Sequence, residues 1–158
     1  DLDDLRANML RMGDVLGRQP QAAKAVAQFD TDLAALQATS DDPRPRAVTY
    51  AANGYSSGAG TLSGAIIAAA GFDNIGQELG LGMGGNVPLE VLMLADPDLV
   101  VTGHPYAGAS RAEEVLDHPG LRAILSRSPR VVSDGDWVCG TPHVLRAIAE
   151  LAAARRAM

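Results

Sequence analysis

The sequence contains one cysteine, few aromatic residues, no cluster of basic residues and no long apolar run. Cys139 alone cannot form an internal disulfide, and it says little about the compartment. The arginines are scattered and the formal net charge is −6, which argues against a nucleic-acid partner. No apolar segment approaches the roughly 18 residues that span a bilayer. The first residues, DLDDLRANM, are acidic and polar and do not resemble a signal peptide.

The residues that are present fit a globular chain with a real core. Of the 158 residues, 47% are apolar and 20% are charged. At the beginning of the chain apolar residues recur at steps of three and four, which predicts an amphipathic helix that ends at Gly17. A second helix is expected from Pro20 to Ala38, before the loop TSDDPRP. The apolar stripe of the first helix comprises Leu2, Leu5, Met9, Met12 and Leu16.

After this first quarter, strands and helices alternate along the chain. Strands are predicted at 46–51, 98–102 and 130–133, and helices at 62–70, 88–95, 112–116, 121–125 and 142–154. The segment DLVVT at 98–102 is continuously apolar after its first residue, as central parallel strands are. The alternation predicts an α/β fold, with a mostly parallel sheet in a three-layer α/β/α arrangement. Ligands of such sheets sit beyond the carboxyl ends of the strands, here the loops 52–60, 103–108 and 134–141.

One loop matches a catalytic motif. Residues 54 to 58, GYSSG, fit the G-x-S-x-G pattern of a hydrolase nucleophile, and Asp134 and His143 follow in the order a triad needs. The motif requires a tight turn from strand into helix, yet two residues separate Ala51 from Gly54 and the helix starts later still. A small α/β hydrolase using Ser56 therefore stands as the alternative function.

Aromatic residues are concentrated in the predicted cleft loops. Tyr55, Tyr106 and Trp137 all follow strands, which indicates a surface for a flat or bulky ligand. The other explanation is that these rings fold down and cap the core. His104 follows the buried strand and is placed to face the cleft, but the three histidines lack the spacing of metal ligands, so no metal site is expected.

Glu90 is the least explained residue of the segment VPLEVLMLADPDLVVTG, residues 87 to 103. This segment reads as a helix start, a short apolar helix, an Asp-Pro-Asp break and a buried strand. Glu90 lies in the first turn of the helix, where a carboxylate interacts favourably with the helix dipole by a few tenths to about 1 kcal/mol. That interaction is sufficient to account for the residue, but it indicates no function.

The order of several motifs resembles one known family. The motifs are G-x-L-S-G-x-I-I-x-A-A-G-F-x-N-I at 60–75, VPLE at 87–90, ADPDLVV at 95–101, then Trp137 and GTP at 140–142 before a final helix. Together, over about residues 20 to 158, they are similar to the C-terminal lobe of class III periplasmic solute-binding proteins. These proteins serve ABC importers of ferric siderophores, haem and vitamin B12.

The resemblance implies a domain organisation. The family has two α/β lobes joined by a long rigid helix, with the ligand held between the lobes. Residues 1–17 would then be the last helix of an N-terminal lobe, 18–40 the connecting helix, and 41–158 the C-terminal ligand-binding lobe. The rest of the N-terminal lobe would lie outside this chain. The apolar stripe of the first helix would lose its native cover, which leads to the hypothesis that it packs against a second copy of the chain.

The resemblance also implies a function without catalysis and without a resident cofactor. The chain is expected to bind a small-molecule metal chelate, with a ferric siderophore as first choice and haem or cobalamin as relatives, and to deliver it to an ABC permease in the membrane. The localisation implied is periplasmic or membrane-anchored and extracytoplasmic, as in a lipoprotein. Glu90 matches the family's permease-docking glutamate. The ligand-contacting candidates are Asn53, Tyr55, Ser56, His104, Tyr106 and Trp137.

Overall fold

The computed structural model describes residues 1–37, 43–104, 108 and 110–158. The helices are α1 (Leu2–Val15), α2 (Gln19–Leu36), α3 (Leu62–Ala69), α4 (Ile75–Glu78), α5 (Leu89–Ala95), α6 (Pro119–Leu125), α7 (Gly135–Val138) and α8 (Val144–Arg156). Single 3-10 segments span Ala52–Gly54 and Arg111–Asp117. The strands are β1 (Arg46–Thr49), β2 (Tyr55–Ser56), β3 (Asp73–Asn74), β4 (Gly85–Asn86), β5 (Leu99–Gly103) and β6 (Arg130–Ser133).

Four strands form one parallel sheet in the order β3-β1-β5-β6. The apolar run that predicted a central strand forms β5, in which Leu99 and Val100 are fully buried. Tyr50 continues the β1 ladder by one residue, because its N–H donates to the Val101 carbonyl at 2.8 Å. The predicted mostly parallel α/β sheet is therefore confirmed.

Helices cover both faces of this sheet. On one face Ala47, Leu99, Val101 and Val131 pack with side chains of α2, α3 and α8. On the other face Val48 and Val100 pack with side chains of α4, α5 and α6. Successive side chains of β1 and β5 thus point to opposite faces of the sheet and pack against different helix layers, as the pleat of a strand requires. The three-layer architecture expected from the sequence follows directly from this alternation.

The first two helices pack against each other and against the core. Leu5 of α1 is 2% exposed and belongs to the same cluster as Phe29 and Leu33 of α2. Arg6 adds polar contacts, because its Nε donates to Asp30 at 2.6 Å and its guanidinium lies 5.4 Å from the Phe29 ring centre. The expectation that the whole stripe lacks cover is therefore wrong for Leu5. Met12 and Leu16, at its far end, are 60% and 63% exposed.

Several short features were not predicted, among them α4 and the 3-10 segment Ala52–Gly54. The edge strand β3 and the antiparallel pair β2–β4 have two residues per strand, too few for a periodic pattern. Helix α7 occupies part of a segment predicted as loop. Asp134 caps it by accepting a hydrogen bond from the Asp136 N–H at 2.9 Å. The β2–β4 pair and α7 lie at the edge of the sheet where ligands were expected, and they determine which side chains face outward there, whereas β3 pairs with the first residues of β1.

Candidate functional site

The carboxyl ends of β1, β5 and β6 lie at the same edge of the sheet, because these strands are parallel neighbours. The segments that follow them begin at Tyr50, Gly103 and Asp134. A fourth segment, 81–88, joins this edge from between α4 and α5. We call the surface formed by these four segments the carboxyl-end face.

A small antiparallel ribbon ties two of the segments together. Tyr55 pairs with Asn86 and Ser56 with Gly85. Three further hydrogen bonds extend the ribbon: the Val87 N–H to the Gly54 carbonyl at 2.8 Å, the Asn86 side-chain amide to the Asn53 carbonyl at 2.9 Å, and the Tyr50 hydroxyl to the Val87 carbonyl at 3.1 Å. The two segments therefore form one unit, anchored on buried Tyr50 at the end of β1.

Two large side chains lie exposed on this ribbon. Tyr55 is 42% exposed and its hydroxyl donates to the Met83 carbonyl at 3.4 Å, while the Met83 side chain is 72% exposed. Glycines make room for both. A Cβ on Gly84, whose φ is 126°, would overlap the Tyr55 hydroxyl, and a Cβ on Gly60 would lie 2.9 Å from the Met83 sulfur. We call Tyr55 and Met83 the platform.

Met83 is not among the ligand residues expected from the sequence, and it lies in the glycine-rich segment GLGMGGN, residues 80–86. Leu81 and Met83 are both flanked by glycines, yet Leu81 packs against the apolar cluster that contains Ile75, while Met83 is 72% exposed. The local pattern therefore does not distinguish the two, and no sequence signal singled out Met83.

The expected ligand residues divide into three groups. Asn53 and Tyr55 are exposed on the ribbon, and Asn53 adopts a left-handed conformation with φ 56°. His104 is exposed directly after β5, on the neighbouring strand end. Tyr106 lies outside the described residues. The contacts of Asn53, Tyr55 and His104 with a ligand stay a prediction.

Ser56 and Trp137 correct the sequence expectation, because both are buried. Trp137 is 1% exposed and belongs to the core cluster that contains α3 and α8. The indole of α7 therefore caps the core, as the alternative explanation for loop aromatics held. Ser56 is fully buried and its Oγ has no hydrogen-bond partner among the described residues. Neither side chain can touch a ligand on the carboxyl-end face in this structure.

The burial of Ser56 also overturns the hydrolase alternative. A serine nucleophile needs a base within hydrogen-bond reach and access for the substrate. The Ser56 hydroxyl has neither, and His143 is exposed at the start of α8. The loop match to G-x-S-x-G reflects glycines needed for close packing. A Cβ on Gly58, for example, would overlap the Leu81 carbonyl.

The charges near the carboxyl-end face are mainly acidic. No lysine or arginine occurs in the segments 50–61, 81–88, 103–110 or 134–143. Asp136 there is paired with Arg146 of α8 through two hydrogen bonds of 2.7 Å. This bidentate hydrogen bonding lowers the pKa of Asp136 and raises that of Arg146. Arg146 is thus already engaged with a carboxylate, whereas Arg111, directly after the segment 103–110, is exposed on the 3-10 segment that packs against Ala52–Gly54.

A cavity of about 470 Å³ adjoins the end of β5. Its walls mix both signs of charge, and Arg122 is ion-paired with Asp117 at 3.2 Å. The charged lining residues are Glu113, Glu114, Asp117, Arg122 and Arg130. Within the described parts of the chain, no group of three His, Cys, Asp or Glu side chains could hold a metal ion.

Glu90 is exposed on the first turn of α5, as the sequence predicted. Fully buried Leu92 anchors the helix, and the Ala95 carbonyl at its end accepts a hydrogen bond from Arg46. Burial raises the pKa of Tyr50, and the charge of Glu90 raises it further. Val87, three residues before Glu90, is hydrogen-bonded to Gly54 and to the Tyr50 hydroxyl, so the start of α5 lies at the carboxyl end of β1.

Comparison with known proteins agrees with this architecture. The family model described as "Periplasmic binding protein" matches residues 2–127. A cobalamin-binding protein of Halobacterium salinarum is 31% identical over 106 residues, which are 65% of this chain and 29% of that protein. The chain belongs to the periplasmic binding protein family. Members of this family and the structural relatives are binding proteins rather than enzymes.

Solved structures show the same fold. The periplasmic haem-binding protein RhuT from Roseiflexus sp. RS-1 matches with a TM-score of 0.77 and 21% identity, covering 98% of this chain and 62% of that one. An ABC-type Fe³⁺-hydroxamate transport protein from Saccharomonospora viridis matches with a TM-score of 0.77 and 22% identity, covering 98% and 56%. The chain therefore spans under a third of the curated relatives it matches and little more than half of these solved chains. Among the described residues, none of the helices is long and apolar enough to cross a membrane.

Proposed function

We propose that this chain is the ligand-binding C-terminal lobe of an ABC importer's substrate-binding protein, which takes up an organic metal chelate outside the cytoplasm. The observation that carries the proposal is the family match over residues 2–127, together with an exposed aromatic and apolar pair at the carboxyl ends of the parallel strands. The proposed ligand class is taken from the relatives, which are named for binding cobalamin or haem or for transporting ferric hydroxamate. Asn53, Tyr55 and His104 are the proposed ligand contacts from the sequence, and Met83 joins them.

The proposed domain organisation follows the longer relatives. In it, α1 ends an N-terminal lobe, α2 connects the lobes, and residues from 41 onward form the lobe described here. Leu5 packs into the same apolar cluster as residues of α2 and α8. Helix α1 therefore packs on the lobe described here, even though in sequence it would be the last helix of the N-terminal lobe. The close approach of Gly13 to Ala22 and the hydrogen bond from Arg6 to Asp30 join α1 to α2.

Glu90 is the proposed docking residue for the membrane permease. Its side chain is exposed beside the carboxyl-end face, and within the described part of the chain no hydrogen bond or ion pair engages its carboxylate. A charge at such a place affects the orientation and rate of docking more than the final affinity. The helix-dipole explanation accounts for the stability of α5 but predicts no effect on transport.

The test is uptake in the organism that carries the gene. Deletion of the gene is expected to abolish uptake of radiolabelled cyanocobalamin or of a labelled ferric chelate, and the unaltered gene restores it. Complementation with Glu90→Ala should lower the uptake rate by about three- to tenfold, since a steering charge is lost. Ligand binding by the purified Glu90→Ala protein should be unchanged.

Glu150→Ala is the matched control, because Glu150 is also an exposed helical glutamate, on α8. Uptake with this variant should equal that of the unaltered protein. Full uptake with Glu90→Ala would contradict the docking role of this residue. Normal uptake of every probe after gene deletion would contradict the proposed function itself.

A further inference from the structure

The outer face of α5 carries the most exposed large apolar side chain in the described part of the chain. Leu94 is 87% exposed and Met93 is 46% exposed. At about 3.6 residues per turn, positions 90, 93 and 94 lie on one side of the helix, opposite Leu92, which is fully buried. Glu90 is exposed on that same side. We call Glu90, Met93 and Leu94 the α5 patch.

The apolar part of the α5 patch takes no part in the core. Helix α5 packs on the apolar cluster that it shares with α4 and α6 through Leu89, Val91 and Leu92, whereas Met93 and Leu94 lie outside that cluster. A surface helix usually places polar residues on the side that faces water. Apolar residues that are exposed singly need no explanation, but two adjacent ones beside a carboxylate form a surface that a partner can cover.

The α5 patch is presented by a backbone that is held at both ends. The N–H of Val87, just before the helix, donates to a carbonyl of the ribbon at 2.8 Å, and the Ala95 carbonyl at the end of the helix accepts a hydrogen bond from Arg46. The Met93 side chain rests on α6, since a Cβ on Gly120 would lie 3.0 Å from its sulfur. A surface that is already ordered loses less conformational entropy when a partner binds.

The charge of the α5 patch is negative and is not neutralised by a described neighbour. None of the arginines that the structure describes forms an ion pair with Glu90. Arg122 and Arg127 are each paired with another carboxylate, and Arg111 is exposed on its own 3-10 segment. His118, which borders the patch on α6, accepts a hydrogen bond through Nδ1, so that nitrogen is unprotonated. The patch therefore complements a surface that presents a cation next to apolar side chains.

Two other kinds of partner fit the α5 patch less well. A two-fold contact of the patch with a second copy of the chain would bring two Glu90 carboxylates close together, which is unfavourable. An anionic lipid surface would be repelled by the same charge. A protein surface with an arginine or a lysine beside apolar residues satisfies both the charged and the apolar part of the patch.

We infer that the α5 patch is a two-part docking surface for the membrane permease, in which Leu94 and Met93 hold the complex together and Glu90 steers its formation. The inference rests on the proposed function and extends it to two apolar residues that have no other assigned role. A steering charge acts mainly on the association rate, whereas apolar surface that loses water in the complex acts mainly on the dissociation rate. The permease contributes the complementary cation and the apolar surface that covers Leu94.

The position of the α5 patch keeps docking apart from ligand binding. Helix α5 begins at the carboxyl end of β1, where Val87 is bonded to the ribbon, and ends beside Arg46 at the start of β1. Glu90 therefore lies next to the carboxyl-end face, and Leu94 lies about 6 Å further along the helix axis, away from that face. A permease that covers the patch leaves the ligand-binding edge of the sheet open.

Binding rates on membranes separate the two parts of the α5 patch. Purified, fluorescently labelled protein is added to right-side-out membrane vesicles from the gene-deleted strain, and its association and dissociation are followed. Leu94→Ser should speed dissociation by about tenfold at an unchanged association rate, and added salt should not alter this effect. Leu94→Met keeps an apolar contact and should bring dissociation back to within about threefold of the unaltered protein. Glu90→Ala should instead slow association, and added salt should remove that difference.

Val15→Ser is the matched control, because Val15 is 77% exposed on α1, which packs on the other face of the sheet. Its binding rates and its uptake should equal those of the unaltered protein, and circular dichroism checks that all variants fold. In the uptake assay Leu94→Ser should lower the rate by about three- to tenfold. Unchanged dissociation and uptake with folded Leu94→Ser and Met93→Ser proteins would overturn the inference, and a loss of uptake on gene deletion would then leave the proposed function intact.

Photocrosslinking in whole cells identifies the partner that covers the α5 patch. A benzophenone amino acid placed at position 94 should, on illumination, give an adduct that mass spectrometry identifies as an ABC permease subunit. The same amino acid at position 15 should not give that adduct. An adduct at position 94 with a second copy of the chain or with another protein, and none with a permease, would overturn the inference. Normal uptake of every probe after gene deletion would count against the proposed function and the inference together.

Discussion

Arg46 shows how a single side chain fixes the end of the molecule opposite the carboxyl-end face. Its guanidinium donates to both oxygens of Glu78, with Nε 3.0 Å from Oε1, and also to the Ala95 carbonyl. Its backbone N–H donates to the Asp98 carboxylate at 2.7 Å. One residue at the start of β1 thus holds the ends of α4 and α5 and the approach to β5. The orientation of α5, and so of Glu90, depends on this contact.

The Arg46–Glu78 pair predicts a pH dependence of stability. Hydrogen bonding to Arg46 lowers the pKa of Glu78 below its ordinary value of 4.5. A lowered folded-state pKa contributes stability that is complete above the unfolded-state pKa and disappears as the pH falls through the folded-state value. Both side chains are more than a third exposed, so solvent screening limits the contribution to a few tenths to about 1 kcal/mol.

Chemical denaturation of Glu78→Gln checks this prediction. At pH 7 the variant should have a lower free energy of unfolding than the unaltered chain, and the difference should shrink toward zero as the pH falls below about 4. Glu150→Gln, at an exposed glutamate without such a partner in the hydrogen bonds described, should show no difference at either pH. A constant difference across the acid range would mean that the carboxylate charge of Glu78 is not what stabilises the fold.

For single residues, the sequence predicted the exposure of a side chain correctly only where the neighbouring residues in the chain determine that exposure. Glu90 follows a helix start and proved exposed, and Asn53 and Tyr55 lie in a glycine-rich loop and proved exposed. The burial of Trp137 depends on contacts with α8 and with α3, and α3 is distant in sequence. No local pattern distinguishes an aromatic residue that faces a ligand from one that returns to the core.

The packing of α1 against α2 shows how small residues determine where a helix lies in the fold. The heptad-like stripe predicted α1, and buried Leu5 is one of its members, yet the stripe did not reveal that the partner is α2. The crossing is close because Gly13 of α1 faces Ala22 of α2, and a Cβ on Gly13 would overlap the Ala22 Cβ. A small residue on each helix is what allows this approach.

Gly13→Ala should therefore destabilise the chain, although alanine favours a helix by about 1 kcal/mol over glycine. The added methyl forces α1 and α2 apart, at a cost of about 1–3 kcal/mol, which outweighs the propensity gain. The double variant Gly13→Ala, Ala22→Gly restores the space and should recover most of the lost stability. Thermal unfolding of the three proteins measures this. A more stable Gly13→Ala chain would show that the helices do not cross as closely as described.

The ribbon β2–β4 is an element that the sequence could not predict. Each strand has two residues, and its pairing joins segments about thirty residues apart. The longer elements were predictable for the opposite reason. The run at β5 was expected at 98–102 and forms Leu99–Gly103, and RVVS at 130–133 forms β6 without a shift. A parallel strand that is buried on both faces can be predicted because its sequence is a continuous apolar run. The formation of a two-residue strand pair depends instead on contacts with the rest of the fold.

At the scale of the whole molecule, two apolar clusters share one sheet. The cluster with α2, α3 and α8 also contains Leu5, whereas the cluster with α5 and α6 supports Val87, just before Glu90. The carboxyl-end face lies where the strands between these clusters end. Its glycine-rich ribbon is attached to the second cluster through Tyr50. Binding and docking residues thus project from a body in which both layers are packed against the same strands.

This arrangement predicts that α1 unfolds together with the sheet. Leu5→Ala removes a side chain that is 2% exposed in the central cluster, so the chain should lose about 2–4 kcal/mol of stability and keep a single unfolding transition. Met12→Ser, on the same helix but 60% exposed, should change stability by less than about 0.5 kcal/mol. Urea titrations followed by circular dichroism and by Trp137 fluorescence measure both. If α1 were only a remnant of a neighbouring lobe, the two probes would give separate midpoints and Leu5→Ala would leave the Trp137 transition in place, because the sheet would unfold independently of the helix.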